Sequence, residues 1–202
     1  LAGGRLRLTG LHCHLGTFLL DPTAYREAAV KICDFANELR QSHGIELSFI
    51  DLGGGFASNN TLRAHYLPGD QATPALSRYT EAITDGLAGL QHAPGKPPTL
   101  VVETGRALVD EAGSLIASVV ANMRLPDGRR GVVIDAGVNL LFTSFWYRHD
   151  VVPAQPFRGM PEPTVLFGPL CMNIDVMRDT MISPPVEPGD RLVFGTVGAY
   201  NL

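Results

Sequence analysis

The sequence predicts an α/β unit over residues 1–112 followed by an all-β unit over residues 113–202. Three observations carry this reading. Up to Ala112, strand-like apolar runs alternate with amphipathic helical stretches, the pattern of a parallel sheet or barrel. Beyond it helical periodicity stops, and short apolar runs are separated by Pro- and Gly-rich segments, the pattern of a sandwich or open barrel. The polar motifs of the first part all close its strands, and parallel α/β folds place their sites at the C-terminal ends of strands.

The elements follow in order. Residues 6–16 read as a strand ending in a glycine turn. Asp21 then caps a helix and Pro22 opens it. Tyr25, Ala28, Ala29, Ile32, Phe35, Ala36 and Leu39 fall at the three/four spacing of one buried face, and Gly44 stops the helix. Leu47–Ile50 form the next strand and run into Gly53-Gly54-Gly55. Residues 58–73 read as a polar loop. Pro74 opens a second helix with Leu76, Tyr79, Ile83, Leu87 and Leu90 on one face. After a breaker-rich connection, Thr99–Val102 form a third strand that delivers Glu103. In the second half, residues 115–123, 131–134, 164–167 and 191–197 are the strand candidates.

Composition narrows the function classes. Hydrophobic residues make up 45% and charged residues 18%, a globular composition with ample core. The net charge of −4 offers no basic face to nucleic acid. No apolar run approaches the ~20 residues that span a bilayer, and no signal-peptide pattern opens the chain. It starts at Leu1 without Met and stops at Leu202 inside an apolar run, so both ends are expected to be cut. Cys13, Cys33 and Cys171 make an odd count, which without a secretory signal points to a reducing, cytoplasmic compartment.

Three strings carry the chemistry: His12-Cys13-His14-Leu15-Gly16-Thr17, Asp51-Leu52-Gly53-Gly54-Gly55-Phe56 and Glu103-Thr104-Gly105-Arg106. Side chains two apart on a strand share a face, so His12 and His14 point the same way. A His-x-His pair can hold a metal, but no third ligand of suitable spacing is evident, and no metal is expected. Either histidine alone reads better as a satisfied core residue. A glycine run after a strand exposes backbone amides to an anion, though such runs also make ordinary turns. Glu103 and Arg106 alone could be a surface pair. Taken together, the strings supply a ring platform, an anion cradle, a carboxylate and a guanidinium. That set suits a flat, phosphorylated, cationic heterocycle.

The same strings resemble those of the barrel-type (fold-type III, alanine racemase-like) pyridoxal-phosphate decarboxylases, nearest to the diaminopimelate, ornithine and arginine decarboxylases. His12–Thr17 is similar to His-Cys-His-x-Gly-Ser, Asp51–Phe56 to Asp-x-Gly-Gly-Gly-Phe, and Glu103–Arg106 to Glu-Pro-Gly-Arg. Asp135–Asn139 resembles Asp-Ala-Gly-x-Asn, and Gly168–Cys171, followed by Asp175, resembles Gly-Pro-x-Cys. Glu187–Asp190 and Gly198–Tyr200 resemble the last strand region and its tyrosine. The resemblance implies the C-terminal half of a (β/α)8 barrel over residues 1–112. A β-sandwich or Greek-key barrel, incomplete at its end, would follow over residues 113–202. It implies pyridoxal 5'-phosphate as cofactor, with His14 stacked on the ring. Thr17, Gly53, Gly54, Gly55 and Arg106 would hold the phosphate, Glu103 would face the ring nitrogen, and Tyr200 would contact the cofactor. Cys171, with His14, would be catalytic, protonating the α-carbon in the site of a partner subunit, so a homodimer with shared sites is implied.

The departures from the family are equally informative. The lysine that holds the cofactor covalently in these enzymes lies upstream of the His string. Here only Lys31 and Lys96 occur, in a helix and a loop, so the N-terminal half of the barrel is expected to be absent. Thr143, aligned through Tyr147, stands where the diaminopimelate enzymes have an arginine for the distal carboxylate. Met172 stands where they carry a glutamate for the distal amine, and a methionine cannot pair with an ammonium. Thr143, Tyr147, Met172 and Asp175 are the positions expected to face substrate. The expected substrate is therefore an α-amino acid other than diaminopimelate, ornithine or lysine, lacking the usual distal charge or else modified or carrier-tethered. The aromatic run Leu140–Tyr147 reads as an apolar substrate pocket or as plain core. The rivals are a racemase or epimerase on the same barrel, against which Glu103 argues, a non-catalytic homologue that binds a protein partner, and a metal protein using His12 and His14.

Overall fold

A computed structural model describes residues 4–63, 65–156 and 159–201, which divide into two compact units. The first comprises Leu1–Ala57 and Thr73–Ala107, the second Ser58–Ala72 and Leu108–Leu202.

In the first unit, β1 (Gly10–His12), β2 (Phe49–Asp51) and β4 (Thr99–Val101) form a parallel three-stranded sheet in the order β1-β2-β4. Parallel neighbours need a crossover, and α1 (Thr23–His43) and α3 (Leu76–Leu87) supply it. The helices bury the face predicted from spacing. Tyr25, Ala29, Ile32 and Ala36 of α1 pack with Tyr79 and Ile83 of α3 on Ile50, Leu52 and Phe56. The Tyr25, Phe56 and Tyr79 rings form a stacked and edge-to-face trio with centroids 4.7–5.4 Å apart. Asp21 accepts the Thr23 amide at 2.9 Å and its hydroxyl at 2.7 Å, so it fixes the entry to α1 from one residue before the Pro22 cap position. Gly44 ends α1 in the left-handed conformation, its amide on the Arg40 carbonyl while the Ile45 amide reaches Leu39. Phe35 and Leu76, expected on buried faces, are instead 48% and 46% exposed, because they sit at the margins of their stripes.

In the second unit, residues 58–72 are not a plain loop. They hold β3 (Thr61–Leu62) and α2 (Gly69–Ala72), and β3 pairs with β7 (Tyr147–Arg148). The rest is a six-stranded sheet in the order β10-β9-β6-β5-β11-β8. Its strands are β5 (Leu115–Arg124), β6 (Arg130–Ile134), β8 (Val151–Pro153), β9 (Glu162–Phe167), β10 (Val176–Ser183) and β11 (Arg191–Phe194). β5 changes partner midway: residues 115–118 pair with β11 and residues 119–124 with β6, across a register shift between Val119 and Ala121. A bulge there bends the strand, so that its two halves line one core with Val132, Ile134, Leu166, Met177, Leu192 and Phe194. The expected sandwich is thus, among the described residues, one mixed sheet turned about a shared strand. No helix of the described residues is long and apolar enough to cross a membrane.

Candidate active site

The three strands of the first unit place their polar motifs side by side. His12 of β1, Asp51 of β2 and Val101 of β4 are in register, and Glu103 follows two residues beyond Val101. Ile50 is buried against the helices, so its strand neighbour Asp51 faces the other side of the sheet. There His12 Nδ1 lies 2.9 Å from Asp51 Oδ2.

Side chains pin the glycine loop at three points. The Gly53 amide donates to Asp51 Oδ1 at 2.8 Å, and the Gly54 amide to His14 Nδ1 at 3.3 Å. The Tyr25 hydroxyl donates to the Gly54 carbonyl at 2.8 Å. The Glu103 amide closes on the Gly53 carbonyl at 2.8 Å. Gly53 and Gly55 take φ of +65° and +89°. A Cβ at Gly54 would meet the Glu103 carbonyl at 2.4 Å, and one at Gly55 the Gly16 carbonyl at 2.0 Å. The run is therefore glycine because two neighbouring strand ends lie against it.

Two consequences follow. An amide donor at Nδ1 requires that nitrogen to be an acceptor, so a neutral His14 carries its proton on Nε2. The Gly53 and Gly54 amides are used inside the loop, so of the three glycines expected to meet a phosphate only Gly55 keeps its amide, among the described residues. Thr17 is exposed on the adjoining turn, and Arg106 is buried in the first turn of α4 (Gly105–Val109), its guanidinium 5.8 Å from the Phe18 ring centroid.

His12, Asp51 and Glu103 bring one ligand-type atom each within 4.8 Å of one another. This corrects the sequence expectation about the histidines: His12 finds its neighbours on other strands, and His14 turns to the glycine loop. Burial alone would raise the Asp51 carboxyl, but the Gly53 amide, His12 and Glu103 outweigh it and hold it below its ordinary value. Tyr25, which pins Gly54, and Asp51 were not singled out as site residues by their sequence. Their roles depend on Gly54 and His12, partners 29 and 39 residues away that only folding brings into line.

In the second unit, Cys171 and Met172 are exposed, as is Tyr200 at φ +61°. Thr143, Tyr147 and Asp175, expected to face substrate, are buried within this unit. Thr143 Oγ1 lies 2.9 Å from both His149 Nε2 and Asn201 Oδ1. Asp175 accepts the amides of Val138 and Leu170, each at 2.7 Å, and so shapes the turn that presents Cys171. A Cβ on Gly137 or Gly168 would strike that carboxylate, which explains the glycines of both motifs. Phe142, Phe145 and Trp146 form an exposed edge-to-face cluster rather than plain core. Lys31 and Lys96 are exposed, and Lys31 lines a groove between β1 and α1.

These residues fit a pyridoxal-type ligand. The glycine loop has no room for a single Cβ, a carboxylate and an oriented imidazole stand beside it, and the buried Arg106 guanidinium lies over the Phe18 ring. Known proteins point the same way. The family described as pyridoxal-dependent decarboxylase, pyridoxal binding domain, matches residues 3–110. Diaminopimelate decarboxylase of Helicobacter pylori is 32% identical over 199 residues, covering 97% of this chain and 45% of that protein. The Archaeoglobus fulgidus enzyme of the same name is 31% identical, covering 95% and 44%. The crystal structure of the H. pylori enzyme complexed with L-lysine superposes with a TM-score of 0.82 at 30% identity, over 99% of this chain and 46% of that one. Lysine/ornithine decarboxylase from Vibrio vulnificus complexed with cadaverine gives 0.78 at 26% identity, over 96% and 50%. The chain thus spans less than half the length of the curated relatives it matches.

Proposed function

The chain belongs to the pyridoxal-dependent decarboxylases, and on that premise we propose that it is the C-terminal portion of an enzyme that removes the α-carboxylate of an amino acid with pyridoxal 5'-phosphate. The observation that carries the reading is the glycine loop locked between His14 and Glu103 on three adjacent parallel strands. Bound pyridoxal phosphate would supply an electron sink for the pair left when carbon dioxide departs. The chain's own residues do the rest. The Gly55 amide, Thr17 and Arg106 would bind the phosphate, which favours guanidinium and amide donors. His14, its Nδ1 held by Gly54, would present its ring as a stacking platform. The Glu103 carboxylate would keep a proton on the ring nitrogen, since an adjacent anion favours the cation. Cys171 would give its proton to the α-carbon, and Tyr200 would close the site. Cys171 and Tyr200 are both exposed, which supports a homodimer in which they serve the partner subunit.

For the substrate, the relatives matched along the chain favour diaminopimelate. The exclusion of diaminopimelate, ornithine and lysine finds no support there. Part of it rested on Thr143, whose hydroxyl is buried against His149 and Asn201 and so reports nothing about a distal pocket. One observation keeps a second reading, a substrate without a distal charge: exposed Met172 stands directly after Cys171. The test is carbon dioxide release and α-proton exchange by the full-length protein, loaded with pyridoxal phosphate, on diaminopimelate, ornithine, lysine and uncharged amino acids. Carbon dioxide from diaminopimelate is expected. Exchange without carbon dioxide would replace the reading with a racemase.

A further inference from the structure

Residues 196–201 cross the second unit as a strap with two left-handed residues, Thr196 at φ +54° and Tyr200 at φ +61°. Side chains larger than glycine rarely accept that conformation, so it persists only where neighbours impose it. Both flanks of Tyr200 are tied down. Before it, buried Asp110 takes the Ala199 amide on Oδ1 at 3.2 Å, and the Asp110 carbonyl takes the Gly198 amide at 2.9 Å. Oδ2 accepts the Ser58 hydroxyl and, at 2.8 Å, Asn60 Nδ2, which also reaches the Thr196 carbonyl at 2.9 Å. After it, Asn201 makes all four bonds a side-chain amide can make. Its Oδ1 accepts the Thr143 amide at 3.1 Å and hydroxyl at 2.9 Å, and its Nδ2 donates to the Val197 and Ala199 carbonyls at 3.1 and 3.3 Å. The Thr143 hydroxyl proton goes to Asn201, so the same oxygen accepts from His149 Nε2 at 2.9 Å. Tyr200 itself is 72% exposed. Two polar networks, both rooted in buried side chains, thus converge on the backbone of a side chain that adds little to the core.

We infer that Thr143 and Asn201 are positioning residues that fix the Tyr200 backbone, with Asp110 holding its other flank, so that the tyrosine hydroxyl meets the cofactor in one orientation. The inference rests on the reading that Tyr200 contacts pyridoxal phosphate. Thr143 then serves the site through Asn201 and not by touching substrate, which agrees with its burial. The residue after Tyr200 must be an amide in this arrangement. A carboxylate there could accept from Thr143 but could not donate to the Val197 and Ala199 carbonyls. Without those ties Tyr200 is free to leave the left-handed region, and its ring would swing away from the orientation the strap imposes.

The test uses the full-length protein, resolved from its cofactor and titrated with pyridoxal phosphate. The absorbance and circular dichroism of the bound cofactor are read, independently of turnover. Tyr200→Phe removes the hydroxyl and should raise the Kd about tenfold. Thr143→Val loses the hydroxyl at nearly constant size, and Asn201→Asp keeps the shape but loses both donors. Each should raise the Kd about fivefold and weaken the cofactor dichroism. Thr143→Ser keeps the hydroxyl and should bind as wild type. A merely structural role would weaken binding equally with or without the Tyr200 hydroxyl. The inference predicts instead that Thr143→Val or Asn201→Asp, added to Tyr200→Phe, weakens binding no further, because all three act through one group. If Tyr200→Phe weakens binding while Thr143→Val and Asn201→Asp do not, or if the effects multiply in the double variants, the inference is overturned and the assignment of Tyr200 stands. A Tyr200→Phe protein with wild-type Kd would remove Tyr200 from the cofactor and the inference with it. Asn201 is only half-buried, so its variant decides the matter even where Thr143→Val does not fold.

Discussion

At the scale of single residues, the site is a set of short ties between strand ends. Tyr25 is fully buried, and its hydroxyl makes one bond, to the Gly54 carbonyl at 2.8 Å. Tyr25→Phe leaves that buried carbonyl without its donor. It should lower stability by about 1–2 kcal/mol in denaturant unfolding and weaken pyridoxal phosphate binding several-fold. Burial pushes the Tyr25 hydroxyl well above its ordinary value, so it stays a donor through any working pH. His149 shows the opposite response. Burial lowers its pKa, with Asp110, Thr196 and Asp150 opposing, so the folded state holds the ring neutral. The unfolded chain then binds the proton more tightly. The stability His149 lends is present above its ordinary value near 6.5 and is lost as pH falls below it. Urea midpoints should decline as pH drops from about 7 to 5, and His149→Gln should flatten that decline. The glycine run, Glu103 and Arg106 were legible in sequence only in conjunction, as polar motifs closing neighbouring strands, since each alone reads as an ordinary turn or a surface pair. Tyr25, Asp51 and the burial of Asp175 were not, since each is defined by a partner on another element.

At the scale of elements, what periodicity could reveal was revealed. α1 and α3 follow the three/four spacing, and the three parallel strands lie where apolar runs end in polar motifs. The second half was harder. β10 alternates weakly, β7 and β8 are two and three residues long, and the turn of helix at Phe142–Phe145 has no period to detect. Residues 58–72 look like a polar loop because β3 is paired only through β7, some 85 residues later. α1 and α3 cross at Gly86, where a Cβ would lie 2.6 Å from the Ala29 Cβ and 2.6 Å from the Arg26 carbonyl. Gly86→Val should force the helices apart. A loss of about 3 kcal/mol or more is expected in thermal unfolding of the full-length protein, along with reduced cofactor occupancy, because α1 carries Tyr25.

At the scale of the whole molecule, the chain spans less than half of its curated relatives, and the proposed reaction belongs to the longer protein. If sites are shared across a two-fold dimer, damage on either side of the interface is separable. Glu103→Gln and Cys171→Ala enzymes should each be inactive alone, yet mixed subunits should recover about a quarter of wild-type activity, since half the dimers then carry one intact site. Mixtures that stay inactive would place Cys171 in its own subunit's site or outside any site.

The most direct test of the central claim is a single turnover of carboxyl-labelled [13C]diaminopimelate in heavy water by the full-length, pyridoxal phosphate-loaded enzyme. The account predicts one labelled carbon dioxide per turnover and one deuterium at the former α-carbon of the product. Deuterium in recovered diaminopimelate with no labelled carbon dioxide would contradict it.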